Sequence, residues 1–316
     1  MIQIQRYTTD DKQIWDHFNA NAKNGTFLFY RDYLEYHAER FTDHSLLFYK
    51  KDKLVGLLPL HKINDMIISH NGLTFGGFIS GFRMKTVLMA EIFASLLLYL
   101  RGENFQKFIY KPIPIIYHQI PAQEDLYALY QNQAVLQHRT VSSALALNHP
   151  KYYSSLRKRC LDKAIKSNLT IKRSEDYVGF MQLVKEVLWQ KYTIKPTHTA
   201  EEISYLAGKF PENIKLYIAY CRQDMLGGTI VYIHKQVVHL QYIALNQRGK
   251  QLHALELIVD YLVDKYYQQK VYLNFGVSQG EGLYNLNLGL INNKESYGTG
   301  TIIQDTYEIN LIKDVV

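Results

Sequence analysis

Cysteine is scarce in this chain: 316 residues hold two, Cys160 and Cys221. Two cysteines cannot staple a domain, and their spacing matches no metal motif, so the sequence predicts a reducing compartment and no bound metal. Long apolar runs are missing as well. The greasiest stretch, AEIFASLLLYL, has about ten residues where a bilayer span needs about 20. The opening MIQIQRY alternates at once, without the apolar block of a secretory signal. A soluble cytoplasmic protein with no membrane span is the expectation.

What is present is positive charge and tyrosine. The formal net charge is +7 and the pI about 9.0, which favours anionic partners such as phosphates, nucleotides or RNA and also suits plain solubility. The excess is concentrated in KYYSSLRKRCLDKAIKSNLTIKR, residues 151 to 173, where Asp162 is the single acid. The 26 tyrosines supply amphipathic surface of the kind that contacts sugars and nucleotides, and many serve as core and edge residues.

The chain repeats itself. LLFYKKDKLVGLLPL in the first half and LYIAYCRQDMLGGTIVYI in the second are both hairpins by alternation, and they align without a gap: Tyr49 on Tyr220, Lys51 on Arg222, Leu54 on Met225, Gly56 on Gly227. Each continues with a strand, a turn, a long helix and another strand. Each is preceded by helical segments, DDKQIWDHFNAN and YRDYLEYHAERF in one half, SEDYVGFMQLVKEVLWQKY and TAEEISYLAGKF in the other. Asp10, Ser174 and Thr199 stand at N-cap positions, with Glu202 completing a capping box. This order predicts a mixed α/β fold of two similar domains, residues 1–148 and 149–316, each a mostly antiparallel sheet flanked by helices.

Two segments of the second half carry candidate chemistry. In QYIALNQRGKQLHALELIVDYLV a strand turns through Gln247, Arg248 and Gly249 into a helix, and a helix start is a good anion site because its first N–H groups lack partners. In VYLNFGVSQGEGLYNLNLGLINNKESYG a strand ends among glycines that permit close approach of a ligand, with Ser278, Glu281, Asn287, Lys294 and Glu295 nearby. Together with HLQYIA and TYEINL, this set resembles the FemAB-like branch of the GCN5-related N-acetyltransferase (GNAT) superfamily, proteins built as two fused GNAT-type domains. The resemblance covers nearly the whole chain.

That resemblance implies transfer of an acyl or aminoacyl group to an amine on a cell-wall or surface-glycan precursor. It implies acyl-coenzyme A, such as acetyl-CoA, as donor, with Gln247, Arg248, Gly249 and His253 at the pyrophosphate. An aminoacyl-tRNA donor is the alternative, and a silent glycan-binding or scaffold protein a third. Acyl transfer needs a base, oxyanion donors and a proton for the leaving group. His239, Tyr242 and Glu281 are the candidates, with His239 and Gln241 on one face of their strand and Tyr242 on the other. A lone strand histidine is also an ordinary core residue. Substrate contacts are expected from Asn274, where an Asp is common, and from Gly276, Ser278, Asn287, Lys294, Glu295 and Arg157. In the first half Gly76, Lys111, Tyr117 and His118 form the matching set.

Overall fold

The computed structural model describes residues 1–280 and 285–312. Contacts divide the chain into one unit of residues 1–140 plus the chain from 303 on, and a second of residues 141–302. The first contains β1 (Ile2–Arg6), α1 (Lys12–Ala20), a short α2 (Arg31–Leu34), β2 (Thr42–Asp43), β3 (Leu46–Lys50), β4 (Lys53–Leu58), β5 (His61–Ile63), β6 (Met66–Ile68), β7 (Ile79–Ser80), α3 (Thr86–Gly102), β8 (Lys107–Tyr110) and α4 (Glu124–Gln131). β9 (Val135–Ala146) runs through the division. The second unit contains α5 (Ser155–Lys166), β10 (Thr170–Ser174), α6 (Tyr177–Tyr192), α7 (Ala200–Lys209), β11 (Ile214–Cys221), β12 (Asp224–Ile233), β13 (Val237–Leu245), α8 (Gln247–Gln251), α9 (Ala254–Tyr266), β14 (Tyr272–Val277) and α10 (Leu288–Glu295). The last strand, β15 (Gly300–Asn310), belongs mostly to the first unit, because Tyr307–Asn310 pair with Tyr110–Lys107. The 148/149 boundary proposed from the repeat is a different line, the one at which the pattern of elements restarts.

Each unit buries one long helix on its sheet. In α3 the residues Met89, Ile92, Phe93, Leu96, Leu97 and Leu100 recur at three- and four-residue spacing and pack on Leu46, Phe48, Leu58 and Phe78. In α9 the stripe Ile258, Val259, Leu262 and Val263 packs on Val231, Val238, Leu240 and Leu273. At about 1.5–3 kcal/mol per fully buried large aliphatic or Phe side chain, each stripe contributes substantially to the stability of its unit.

The repeat holds register for register. The hairpins β3–β4 and β11–β12 are both antiparallel, with an irregularity at the same place, between Phe48 and Tyr49 in one and Ala219 and Tyr220 in the other. Three parallel pairs join β6 to β8, Met66 to Lys107 through Ile68 to Ile109. Three join β13 to β14, Val237 to Tyr272 through His239 to Asn274. Gly56 and Leu57 pair with Ser80 and Ile79 as Gly227 and Gly228 pair with Leu245 and Ala244. Thus β6 and β7 are the two ends of what is one strand, β13, in the second unit. Residues 69 to 78 interrupt that strand in the first copy where residues 240 to 243 run straight through in the second.

Several local expectations are corrected. YRDYLEYHAERF is not one helix: α2 stops at Leu34 and a single 3-10 turn follows at Ala38–Arg40. His37 leaves helical backbone at φ −126° to stack on Tyr36, centroids 4.2 Å apart. Thr199 and Glu202 do form the capping box of α7. The cap of α6 is Asp176, which accepts from Gly179 N at 2.8 Å, while Ser174 accepts from Asp176 N. Asp10 lies inside a 3-10 turn whose box is closed by Thr8 and Asp11.

Candidate functional site

The second unit has one place where its sheet comes apart. β13 and β14 are paired as far as His239 and Asn274; beyond that β13 stays with β12, while β14 pairs with β9, Val277 opposite Ser142. Asn274 is fully buried, and its side-chain oxygen accepts from Ser142 Oγ at 2.8 Å and from Gly276 N at 3.0 Å. An aspartate there would bring a charge into the same bonds, so the amide does the bracing at lower desolvation cost. Gly276 has φ +74°, and a Cβ on it would stand 3.2 Å from the His239 ring. The glycine is required twice, by backbone and by the imidazole lying against it.

A buried cation closes this group. Lys294 of α10 is 5% exposed, and its ammonium donates to the carbonyls of Gly276 and Val277 at 2.8 and 2.6 Å. Both partners are neutral, and burial pulls the amine down to about 8. Burial, with Lys294 nearby, pushes His239 down to about 4, so its imidazole is neutral at pH 7. Its Nδ1 is buried with no partner among the described residues. Ser278 Oγ, on the loop after β14, is likewise buried and unpartnered.

Tyr242 lies on the same face of β13 as His239, which corrects the alternation read from the sequence. Tyr232 is opposite His239 and Ile230 opposite Tyr242, with a register shift between. Gln241 is the extra residue of a β-bulge, and one extra residue reverses every later side chain. The Tyr242 hydroxyl contacts His198 Nδ1 at 2.7 Å and accepts from His198 N at 3.2 Å. Burial raises its pKa, so the phenol keeps its proton. His198 was missed by sequence reasoning, because nothing in KPTHTAEEI marks a loop residue as reaching a strand. Beside it lies a cavity of about 390 Å³, bordered by Met181, Gln182, Lys185, Lys195 and His198 between α6 and α7.

No protein-family model matches the chain, and no curated protein matches it. Solved structures do. FemX superposes with a TM-score of 0.69 at 10% identity, over 98% of this chain and 97% of that one. A tandem GNAT protein from the clavulanic acid biosynthesis pathway gives 0.54 at 9% identity over 99% and 100%. The C-terminal domain of an Agrobacterium fabrum protein, assigned as a lysylphosphatidylglycerol synthetase, gives 0.60 at 10% over 85% and 84%. The chain has the tandem GNAT fold. At such identities the likeness is one of fold alone.

Within that tandem GNAT fold, the turn expected to hold a pyrophosphate is filled from inside. Asn246 caps α8, accepting from Gly249 N at 2.8 Å. The N–H groups of Lys250, Leu252 and His253 go to backbone carbonyls. Gly249 is buried because a Cβ would meet Leu226 O at 2.3 Å, a packing requirement. Gln247 is exposed, and Arg248 pairs with Asp224 at 2.8 Å. At the start of α9 the first turn already holds a carboxylate, Glu256. Arg157 is buried against it, donating to Glu256, to Ser296 Oγ at 3.0 Å and to Tyr297 OH at 3.3 Å. This guanidinium joins α5 to α9.

The remaining candidates divide by unit. Asn287 caps α10, accepting from Leu290 N at 3.0 Å, and so orients the helix that carries Lys294. Glu295 is exposed, and Glu281 falls outside the described residues. In the first unit the interrupting loop lies along the end of β8. Ser69 N donates to Ile109 O, Lys111 N to Ser69 Oγ, and Gly76 N to Lys111 O. A Cβ on Gly76 would meet Ser69 O at 2.0 Å. The Tyr117 ring packs against Phe75, centroids 4.5 Å apart and tilted by 42°, and His118 Nε2 bonds Ile113 O at 2.9 Å. Gly76, Lys111 and Tyr117 pack the loop down, and His118 braces its own segment. Lys111 Nζ reaches Asn71 Oδ1 at 2.8 Å.

Proposed function

We propose that the second unit transfers an acyl group to an amine of a cell-wall or surface-glycan precursor, and that the donor is an aminoacyl ester carried on RNA. The observation that carries this reading is the parting of β13 and β14 beside the buried Lys294 ammonium. A carbonyl lying in that gap meets a cation held in a low-dielectric setting, where stabilisation of a developing oxyanion is strongest. Two of the three ammonium N–H bonds are spent on Gly276 and Val277, and the third serves the oxyanion. Neutral His239 accepts a hydrogen bond from the attacking amine and orients its lone pair. Charging His239 beside Lys294 is costly, so the amine proton passes on to solvent. Tyr242, protonated and partnered with His198, supplies the proton the leaving oxygen needs.

Two features support an RNA-borne ester. In the turn before α9 the N–H groups of Gly249, Lys250, Leu252 and His253 are already bonded, which takes them away from a coenzyme A pyrophosphate. Lys158, Arg159, Lys163 and Lys166 of α5 and Lys172 and Arg173 of β10 are all exposed, a basic surface suited to a phosphate backbone. The acyl-coenzyme A reading keeps one observation in its favour: His253 at the start of α9 makes no side-chain cap, beside exposed Arg248 and Lys250. The two are separated by adding aminoacylated tRNA or acetyl-CoA and following both thermal stability and transfer to a muropeptide or aminosugar acceptor. Stabilisation by charged tRNA that fades steeply with salt supports the first. Stabilisation and transfer with acetyl-CoA alone overturns it.

A further inference from the structure

Cys160, His253 and Glu256 come together between α5 and α9. One ligand atom from each, thiol sulfur, imidazole nitrogen and carboxylate oxygen, lies within 4.8 Å of the others. We propose that these three residues form a binding site for a thiophilic divalent cation, zinc being the best match. Its three residues are other than those proposed at the gap beside Lys294, and it does not depend on the transfer reaction.

Its construction fits a metal in three ways. The ligands come from two helices: Cys160 lies one turn beyond Arg157 on α5, Glu256 is in the first turn of α9, and His253 is the residue that leads into that helix. The two side chains that are not already bonded are the two best soft ligands. No hydrogen bond reaches the Cys160 thiol or the His253 ring among the described residues, and His253, at φ +56°, leaves its ring out of the helix cap. Glu256 is 7% exposed, and one of its oxygens, Oε1, accepts from Arg157. The other stays available, and ligating carboxylates are commonly braced in this manner by a neighbouring donor.

Chemistry selects the ion. One sulfur, one nitrogen and one oxygen are a poor set for magnesium or calcium, which take oxygen ligands, and a good one for zinc. A thiolate and a carboxylate are both anionic partners for a divalent ion. Cys160 and His253 are each half-buried, so solvent reaches the fourth position. The bound ion would tie α5 to α9.

The test uses the full chain, free of any histidine tag and stripped with a chelator, titrated with Co²⁺. Binding at one equivalent with a near-ultraviolet thiolate-to-cobalt band, displaced by Zn²⁺, is expected. Cys160→Ser removes the band and Cys221→Ser keeps it, while His253→Gln weakens affinity by about 10- to 100-fold. Zinc raises the melting temperature of the wild type and leaves that of Cys160→Ser unchanged. Circular dichroism of the metal-free variants must match the wild type. Absence of a thiolate band in the wild type, or a band that survives Cys160→Ser, overturns the proposal.

Discussion

The two units hold the same strands in the same register and differ in what happens where the parallel pairs end. In the second, β13 continues and β14 leaves it, with His239, Gly276 and Lys294 at the parting. In the first, the equivalent strand is cut, and residues 69 to 78 lie along the end of β8 through Ser69, Gly76 and Lys111. Each copy has a histidine, a lysine and glycines near this point. The shared residue types therefore say little; the difference lies in whether backbone occupies the gap. On the proposed mechanism chemistry needs a place for a substrate carbonyl, and the copy whose gap is taken up by its own loop would then serve as the scaffold.

The sharpest way to break this comparison is to remove the two lysines in turn. Lys294→Met is expected to lower kcat by roughly 100-fold, the usual loss when one oxyanion donor goes. Lys111→Met is expected to stay within about twofold of wild type. Equal losses would mean both copies work. Glycines should divide the other way. Gly76→Ala drives a Cβ against Ser69 O and should cost about 2–4 kcal/mol in urea unfolding. Gly276→Ala meets only the His239 ring, but at positive φ, and should cost about 1 kcal/mol while depressing turnover.

pH gives a third contrast. Lys294 titrates near 8 when folded and near 10.5 when unfolded, so between these values the unfolded chain binds the extra proton. Its contribution to stability improves as pH rises through that window, whereas transfer that needs the ammonium declines. A kcat/KM profile falling above about pH 8, without loss of the fold, is the expected signature. The histidines act at the other end. Burial lowers His61 and His118 to about 4 and His70 to about 3 in the first unit, and His239 to about 4 in the second. Their stabilisation is complete above pH 6.5 and drains away as pH falls towards 4, by roughly 1–3 kcal/mol per group. Burial also lowers His44 in the first unit and His234 in the second, so local exchange of amide hydrogens should show the first unit loosening earlier, as it holds four of these six.

The smallest expected effect separates Tyr242 from the turn. Tyr242→Phe should reduce kcat by about tenfold and stability by about 1 kcal/mol, as the hydroxyl's contacts with His198 are lost. Arg248→Ala should change neither donor KM nor stability measurably, since its ion pair with Asp224 is exposed. A large rise in KM for that variant would restore the coenzyme A reading.

Much of the architecture was legible because duplication leaves a long record. The aligned hairpins, the recurring helix after each and the capping box at Thr199 all follow from residue order. What stayed hidden depends on contacts between distant segments. A bulge at Gln241 is set by pairing with β12, and no composition at 239–242 announces it. The packing role of Gly249 comes from Leu226, and that of Arg157 from Glu256 and Tyr297, each contributed from far along the chain. The cysteine, histidine and glutamate between α5 and α9 escaped notice likewise, with 92 residues between the first two.

The interrupting loop also offers a handle. Because Leu57 and Ile79 still pair as their counterparts do, the backbone on either side keeps the spacing of an unbroken strand. Shortening residues 69–78 to a four-residue link is therefore a rational edit, one that would clear the loop from the end of β8 and ask whether the first unit then accepts a ligand.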